Sequence, residues 1–316
     1  MKEPNFFAGG AFDRAGLLRK DADLIARLRA DPGTRMIPVW RDRHLILIKP
    51  KPEPVFLAPE DVPPLAPKSD FIVLLGVIDD QAVFAFDISH IEDPMTRPEL
   101  TGRGEFIDIR DVGSLLSRAD AQLMACSRAL FYWHRRHLFC GVCGASTVSA
   151  EAGHVRNCTN ADCAAPHFPR TDPAVIMLVT DGDRCLLGRR PGRQNFMYST
   201  LAGFVEPGES LEEAVAREVM EESGIHIANI RYAHSQPWPF PANLMLGFYA
   251  EATSTEIKFN TDELADARWF GREEVRKLMA VRDRAESERR GGALHLPRPV
   301  SIARRLISEW IEGLAP

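Results

Sequence analysis

Four cysteines in one short stretch, Cys140 and Cys143 followed by Cys158 and Cys163, constrain this chain more than any other feature. Residues 138–168 carry too few apolar side chains for an independent core, so the segment needs another source of order. Two thiolate pairs on tight turns offer the four soft ligands of tetrahedral zinc, and Gly141 and Gly144 suit those turns. With cysteine in all four positions no coordination site is open to water, so the predicted Zn²⁺ is structural, one per chain. His154 and His167 are substitute ligands or ordinary polar residues. The opening Met1-Lys2-Glu3-Pro4-Asn5-Phe6-Phe7 lacks the long apolar stretch of a signal peptide, which points to the cytoplasm. In that reducing compartment clustered cysteines read as metal ligands before disulfides. Cys126 and Cys185 lie in apolar stretches and read as inert core residues.

A metal-held unit in the middle divides the chain. The expected fold is α+β, with a mixed α/β domain over residues 1–137, a small zinc ribbon over 138–168 and a second α/β domain over 169–316. With 45% hydrophobic and 26% charged residues the outer parts can build real cores. No apolar run approaches the roughly 20 residues needed to cross a bilayer, so no membrane partner is expected.

In the first part a helix is predicted over 22–30, with strands over 36–40, 45–48, 71–78 and 82–86. The Pro-rich stretch 50–67 between them reads as an irregular loop. Apolar residues at helical spacing predict one helix over 112–137. From Pro173 onward a hairpin turns at Asp181-Gly182-Asp183, with further strands over 227–233, 244–251 and 267–270. Helices are predicted over 210–223, 272–280 and 300–310. No internal repeat is visible, and the charged run 282–290 reads as a solvated loop or helix end.

Residues 203–225 carry the chemistry. Ser210 is a good helix N-cap, Glu213 completes a capping box, and Gly224 suits the left-handed position that ends a helix. Leu211, Val215 and Val219 share one helical face. Glu218 and Glu222 share another, with Glu221 beside it. An isolated acidic pair is usually a solvated face. Here it follows a Gly-rich entry loop on a capped helix, and a hard divalent cation, Mg²⁺ or Mn²⁺, would compensate the repulsion.

This stretch resembles the Nudix box, G-x5-E-x7-R-E-U-x-E-E-x-G-U with U apolar, and every fixed position matches. The resemblance implies an α/β/α sandwich that hydrolyses a pyrophosphate with bound metal. It implies Glu218, Glu222 and Glu221 as catalytic and metal-binding residues, with Glu222 or its bound water as base. The backbone carbonyl of Ala202 is implied as a further ligand, and Gly203, Glu209, Arg217 and Gly224 as structural, Glu209 pairing with Arg217.

Ser235, Gln236, Pro237, Trp238, Pro239, Phe240 and Pro241 read locally as a rigid, non-helical loop. The run is similar to the signature of the NADH pyrophosphatase branch of the family, which also carries a four-cysteine zinc ribbon. That resemblance implies Gln236 to Pro241, with Ala242 and Asn243, as substrate contacts; Asn243 stands where the family has serine. Phe168 and Phe204 are implied as base-stacking partners, Glu263 as a distal metal ligand and substrate neighbour, and Ala303 as a residue bordering the substrate. The branch implies NADH or NAD⁺ as substrate, nicotinamide mononucleotide and AMP as products, and a homodimer.

ADP-ribose and NAD-capped RNA are alternative substrates. The formal net charge of −5 weighs against broad nucleic-acid binding without excluding a local basic path. A zinc-ribbon binding module with an inactive hydrolase domain is the remaining alternative, and the intact box argues against it.

Overall fold

The computed structural model describes residues 3–10, 12–66, 71–192, 196–259, 261–280 and 292–315. They form two compact units, Met1–Thr171 together with Pro237–Ala242, and Asp172–Gln236 together with Asn243–Pro316.

The first unit is built on strands β1 (Arg35–Trp40), β2 (Arg43–Leu47), β3 (Glu53–Pro54), β4 (Ile72–Ile78), β5 (Gln81–Asp87) and β6 (Glu105–Ile107). Their order is β3-β2-β1-β5-β4, with β6 also pairing β2. β1 and β5 run parallel, and the other pairs are antiparallel. Helix α1 (Ala22–Ala30) lies where its apolar spacing predicts, capped by Asp21. The stretch 50–67 departs from an irregular loop: it holds β3, a 3₁₀ turn at Pro59–Asp61 and the one-turn helix α2 (Val62–Leu65). Pro59 and Pro63 occupy first-turn positions, where a missing N–H leaves no bond unmade.

The helix expected over 112–137 is two helices, α3 (Ile109–Val112) and α4 (Arg118–Arg136). Ser117 caps α4 by accepting from the Asp120 N–H, a break that apolar periodicity does not register. Strands β7 (Thr147–Ala150), β8 (Val155–Cys158) and β9 (Pro166–His167) then form a three-stranded sheet around the cysteines. Buried Arg156 ties that sheet to α4. Its Nε donates to Thr147 Oγ1 at 2.8 Å and its Nη1 to His134 Nδ1 at 2.9 Å. His134 Nε2 in turn donates to the Gly153 carbonyl at 2.8 Å.

The second unit contains β10 (Asp172–Asp181), β11 (Arg184–Arg189), β12 (Leu201–Phe204), β13 (Ile227–Trp238), β14 (Asn243–Ala252) and β15 (Asp266–Gly271). Their order is β13-β14-β10-β11-β15, with β12 also pairing β10. Helices α5 (Leu211–Ser223), α6 (Arg272–Met279) and α7 (Ile302–Ile311) cover it. Alternation along β10 sends Val175, Met177 and Val179 into one core with Ala214, Val215 and Val219 of α5. Ile176 and Leu178 enter a second core with Val275 of α6 and Leu306 of α7. The result is an α/β/α sandwich. Each fully buried aliphatic side chain contributes about 1.5–3 kcal/mol, so both faces hold the sheet.

Three further departures matter. β12, with only four residues and one glycine, was hidden in the expected entry loop. β13 continues through Pro237 to Trp238, so half of the expected proline loop is strand. It is the end strand of its sheet, where a residue without N–H is tolerated. Five strands of each six-stranded sheet also share one arrangement, β4-β5-β1-β2-β6 and β13-β14-β10-β11-β15, although no repeat shows in the sequence. The charged run 282–290 lies outside the described residues.

Candidate functional site

The cysteines converge. All four Sγ atoms lie within 4.8 Å of one another, with Cys140 to Cys163 at 3.8 Å and Cys143 to Cys158 at 3.4 Å. A tetrahedral ion with metal–sulfur bonds of about 2.3 Å places its ligands about 3.8 Å apart, so the set fits zinc. Backbone N–H groups of Cys143 and Val142 pull the Cys140 thiol down to about 6, while burial pushes Cys158 up to about 12. His167 Nε2 approaches Cys140 Sγ at 3.2 Å, a neighbour of the ligand set. His154 instead bonds the Leu74 carbonyl at 2.7 Å and takes no part.

The carboxylate site is assembled by α5. The Ser210–Glu213 capping box is formed, and Gly224 ends the helix at φ 70°. One helical turn apart, Glu218 and Glu222 are 9% and 5% exposed, while Glu221 points outward. Gly203 on β12 leaves room for Glu218, whose carboxylate as placed would lie 1.8–2.0 Å from a Cβ there.

Arg217 braces the helix from its outer side. It donates to both oxygens of Glu209 at 2.6 and 2.9 Å and to the Phe204 carbonyl at 2.8 Å. The same guanidinium reaches Glu218 and Glu221 at 2.9 Å each. These bonds hold Glu209 down to about 2.

Glu222 has no such partner. Burial pushes its carboxyl up to about 7; Arg190 and the Ala202 N–H pull it down, and Glu218 and Glu263 push it up. Burial likewise raises Glu218, against the pull of Arg217. Glu222 Oε2 is buried without a hydrogen-bond partner. An orphaned, hard oxygen beside further carboxylates is the chemistry of a divalent cation site. The residues therefore fit the metal, although as they stand only the cysteines among the described residues converge as a ligand cluster.

Arg190, which follows β11, is the site neighbour that sequence reasoning missed. The Arg189-Arg190 pair after a strand end was its visible signal. Glu263 acts on both box glutamates electrostatically from the loop before β15, which is tied to β11 by the Ala265 N–H bond to the Arg189 carbonyl at 2.7 Å.

Two expected substrate contacts are corrected. Gln236 is 0% exposed, and its amide is fully engaged, donating to the Val300 carbonyl at 2.8 Å and accepting from the Ile302 N–H at 2.7 Å. It anchors the start of α7. Ala303, 2% exposed, packs in the core shared with α6, on the sheet face away from α5. Phe168 and Phe204, at 60% and 56% exposure, are open for stacking and are not core.

The tip Pro237–Ala242 belongs to the first unit. Trp238 and Phe240 pack edge-on against each other and against buried Phe7. Arg128 donates to the Pro239 carbonyl at 2.9 Å and covers the Phe240 ring at 5.0 Å. Pro239 and Ala242 are buried and Pro241 is exposed. Asn243, half-buried, opens β14 opposite Asp172.

Three family models match consecutive stretches: a NADH pyrophosphatase-like rudimentary NUDIX domain over residues 33–133, a NADH pyrophosphatase zinc ribbon domain over 135–168 and a NUDIX domain over 170–290. Similar proteins include Nudix hydrolase 19, chloroplastic, of Arabidopsis thaliana, 38% identical over 77% of this chain and 65% of that one. The human NAD-capped RNA hydrolase NUDT12 is 42% identical over 62% of this chain and 43% of its own. The NAD-capped RNA hydrolase NudC of Mycobacterium bovis is 42% identical over 69% of this chain and 68% of its own. The matches thus span less than two thirds of the plant and human relatives.

Proposed function

This chain belongs to the Nudix family, and we propose that within it the protein is a pyrophosphohydrolase cleaving NADH or NAD⁺ to nicotinamide mononucleotide and AMP. The observation that carries this reading is the buried pair Glu218 and Glu222 on one face of a capped helix, with Glu222 Oε2 unpartnered. A divalent cation, Mg²⁺ or Mn²⁺, supplies charge neutralisation and an acidified water when bound. Glu218, Glu222, Glu263 and the Ala202 carbonyl are the residues assigned to hold it, with Glu221 at their edge. Glu222 is the group assigned to accept the proton of the attacking water. Arg217 keeps the Glu218 carboxylate oriented through the bond at 2.9 Å.

Phe168 and Phe204 are assigned to stack on the bases, and Trp238, Phe240 and Asn243 to shape the nucleotide end. A structural Zn²⁺ at the four cysteines, a homodimer and a cytoplasmic location complete the proposal. Among the described residues no helix is long and apolar enough to cross a membrane.

A second reading, removal of an NAD cap from RNA, is favoured by the names of the human and mycobacterial relatives. Both readings break the same bond. Turnover of NADH, NAD⁺, ADP-ribose and NAD-capped RNA, with products identified by mass spectrometry, separates them. The primary reading is lost if neither free dinucleotide yields a mononucleotide and AMP.

A further inference from the structure

The first unit carries a cleft of its own, built from no residue of the carboxylate site. Helix α1 lays Ile25 and Leu28 against the core of the first sheet. Beside it the turn between β7 and β8 passes through Glu151, Ala152 and Gly153 at φ of 46°, 52° and 90°. Only glycine serves at the third position, because a Cβ there would lie 2.3 Å from Val73 Cγ1. Non-glycine residues at such φ persist where their surroundings impose them, and they concentrate at ligand clamps and other functional positions.

Between helix and turn lies a chamber of about 380 Å³ lined by Arg19, Lys20, Ala22, Ile25, Glu151 and Ala152. A smaller chamber of about 150 Å³ shares Ile25 and Ala152 with it and reaches Arg29 and Phe84. The joint space has the size of a small-molecule site. Cations stand at both ends, Arg19 and Lys20 at one and Arg29 at the other. Ala22 and Arg29 bound about 10 Å of helix at 1.5 Å per residue, and Ile25 and Ala152 make the stretch between apolar.

Among the described residues Glu151, 4.0 Å from Lys20 Nζ, is the one carboxylate in the lining, against Arg19, Lys20 and Arg29. Arg19 is incompletely paired: Nη2 donates to the Arg14 carbonyl at 2.6 Å, while Nε is buried with no partner. Arg19 is half-buried at the edge of the cleft, where a guanidinium offers paired donors to an anion.

We propose that this cleft binds a small organic phosphate of nucleoside-monophosphate size. The phosphate is held by Arg19 and Lys20, and the less polar remainder lies over Ile25 and Ala152 toward Arg29. Arginine suits a phosphate because its planar donors engage two oxygens together, and lysine adds a point charge. The site does not depend on the hydrolytic reading.

Titration calorimetry of the full chain with AMP, adenosine and inorganic phosphate, in chelator, tests the site. AMP is expected to bind saturably, phosphate more weakly, and adenosine least. In Arg19→Met/Lys20→Met the AMP affinity should fall at least about tenfold, the effect of losing charge-assisted bonds. Lys20→Met alone, at an exposed position that leaves folding untouched, should lower it several-fold. Filling the chamber with Ile25→Trp should also weaken AMP, with the melting curve confirming a folded chain. Glu222→Gln should leave this binding unchanged. AMP affinity in Lys20→Met and in the double variant within twofold of wild type overturns the proposal. So does AMP binding that disappears in Glu222→Gln, or an absence of saturable binding at millimolar AMP.

Discussion

The two six-stranded sheets of this protein share a plan and differ in what it carries. Both place a parallel pair at the centre, β1 with β5 and β10 with β14. The first strand of each pair continues in an antiparallel hairpin, to β2 and to β11. The segment that follows the hairpin then diverges. In the second sheet it holds β12 and the 13-residue α5, long enough to repeat a carboxylate after one turn on a buried face. In the first it holds β3, a 3₁₀ turn and the four-residue α2, too short for any i, i+4 pair. A shared topology therefore does not confer shared chemistry; the inserted helix does.

Buried groups sharpen the contrast. The first unit buries His44 and His134 and half-buries His154, and the cost of charging them there keeps them neutral: His44 is pushed down to about 3, and His134 and His154 to about 4 each, all chiefly by burial. The second buries acids, Glu218 and Glu222, on α5, which has no counterpart of its length among the described residues of the first sheet's segment.

The strongest way to break the comparison is to disable the helix. Glu222→Gln should lower turnover at least about a hundredfold, as expected for a group acting on an activated water. In chelator the same variant should melt no lower than wild type, because it removes an unpartnered buried charge. Asp61→Asn, in the corresponding segment of the first sheet, should leave turnover within a few-fold. Steady-state rates and calorimetry decide. An active Glu222→Gln, or an inactive but folded Asp61→Asn, ends the contrast.

Cys158→Ser tests the zinc ribbon as part of the first unit. The variant should lose its zinc by elemental analysis, and hydrogen exchange should rise first in β7, β8 and the adjoining end of α4, where Arg156 and His134 meet. Added Mg²⁺ should not restore it. Stoichiometric zinc in Cys158→Ser, or loosening confined to β10–β15, would contradict the assignment.

A pH series separates the two units by sign. Each histidine has a folded pKa below its unfolded 6.5, so the unfolded chain binds the proton first as pH falls. Their contribution is fully present above pH 6.5 and is lost from there toward 4 and then 3, by at most about 1.4 kcal/mol per pH unit for each histidine. Amide protection factors in β4, β5 and α4, corrected for the intrinsic exchange rate at each pH, should fall over that range, and protection factors that stay constant from pH 6.5 to 4 would contradict it. Lys or Arg substitutions at exposed positions should not reproduce the effect.

The smallest expected effect concerns Gln236. Its alanine variant strands the Val300 carbonyl and the Ile302 N–H, each unsatisfied buried group costing about 1–3 kcal/mol. The melting temperature should drop, and turnover on NADH, NAD⁺ and ADP-ribose should fall by the same few-fold factor. A loss specific to NADH at unchanged stability would return Gln236 to the substrate.

Much of the molecule is legible before folding. The cysteine spacing, the capping box, Gly224 and the shared face of Glu218 and Glu222 are local features, dictated by helix period and turn geometry within a few residues. Helix α1 and the hairpin strands β10 and β11 follow from the same short-range rules, and the pairing of Glu209 with Arg217 is what the Nudix resemblance implies. What no window of sequence reveals depends on partners far along the chain. Gln236 reads as an exposed reader of substrate until Val300 and Ile302 close on both ends of its amide. Arg190 goes unremarked in the sequence until the strands bring it within the field of Glu222. The likeness of the two sheets is likewise invisible, because pleated sheets constrain the alternation and pairing of strands while leaving side-chain identity free. Sequence alone determined which groups could do chemistry, through local backbone geometry; tertiary structure decided which are exposed to a ligand, because burial and long-range hydrogen bonding are properties of the packed chain.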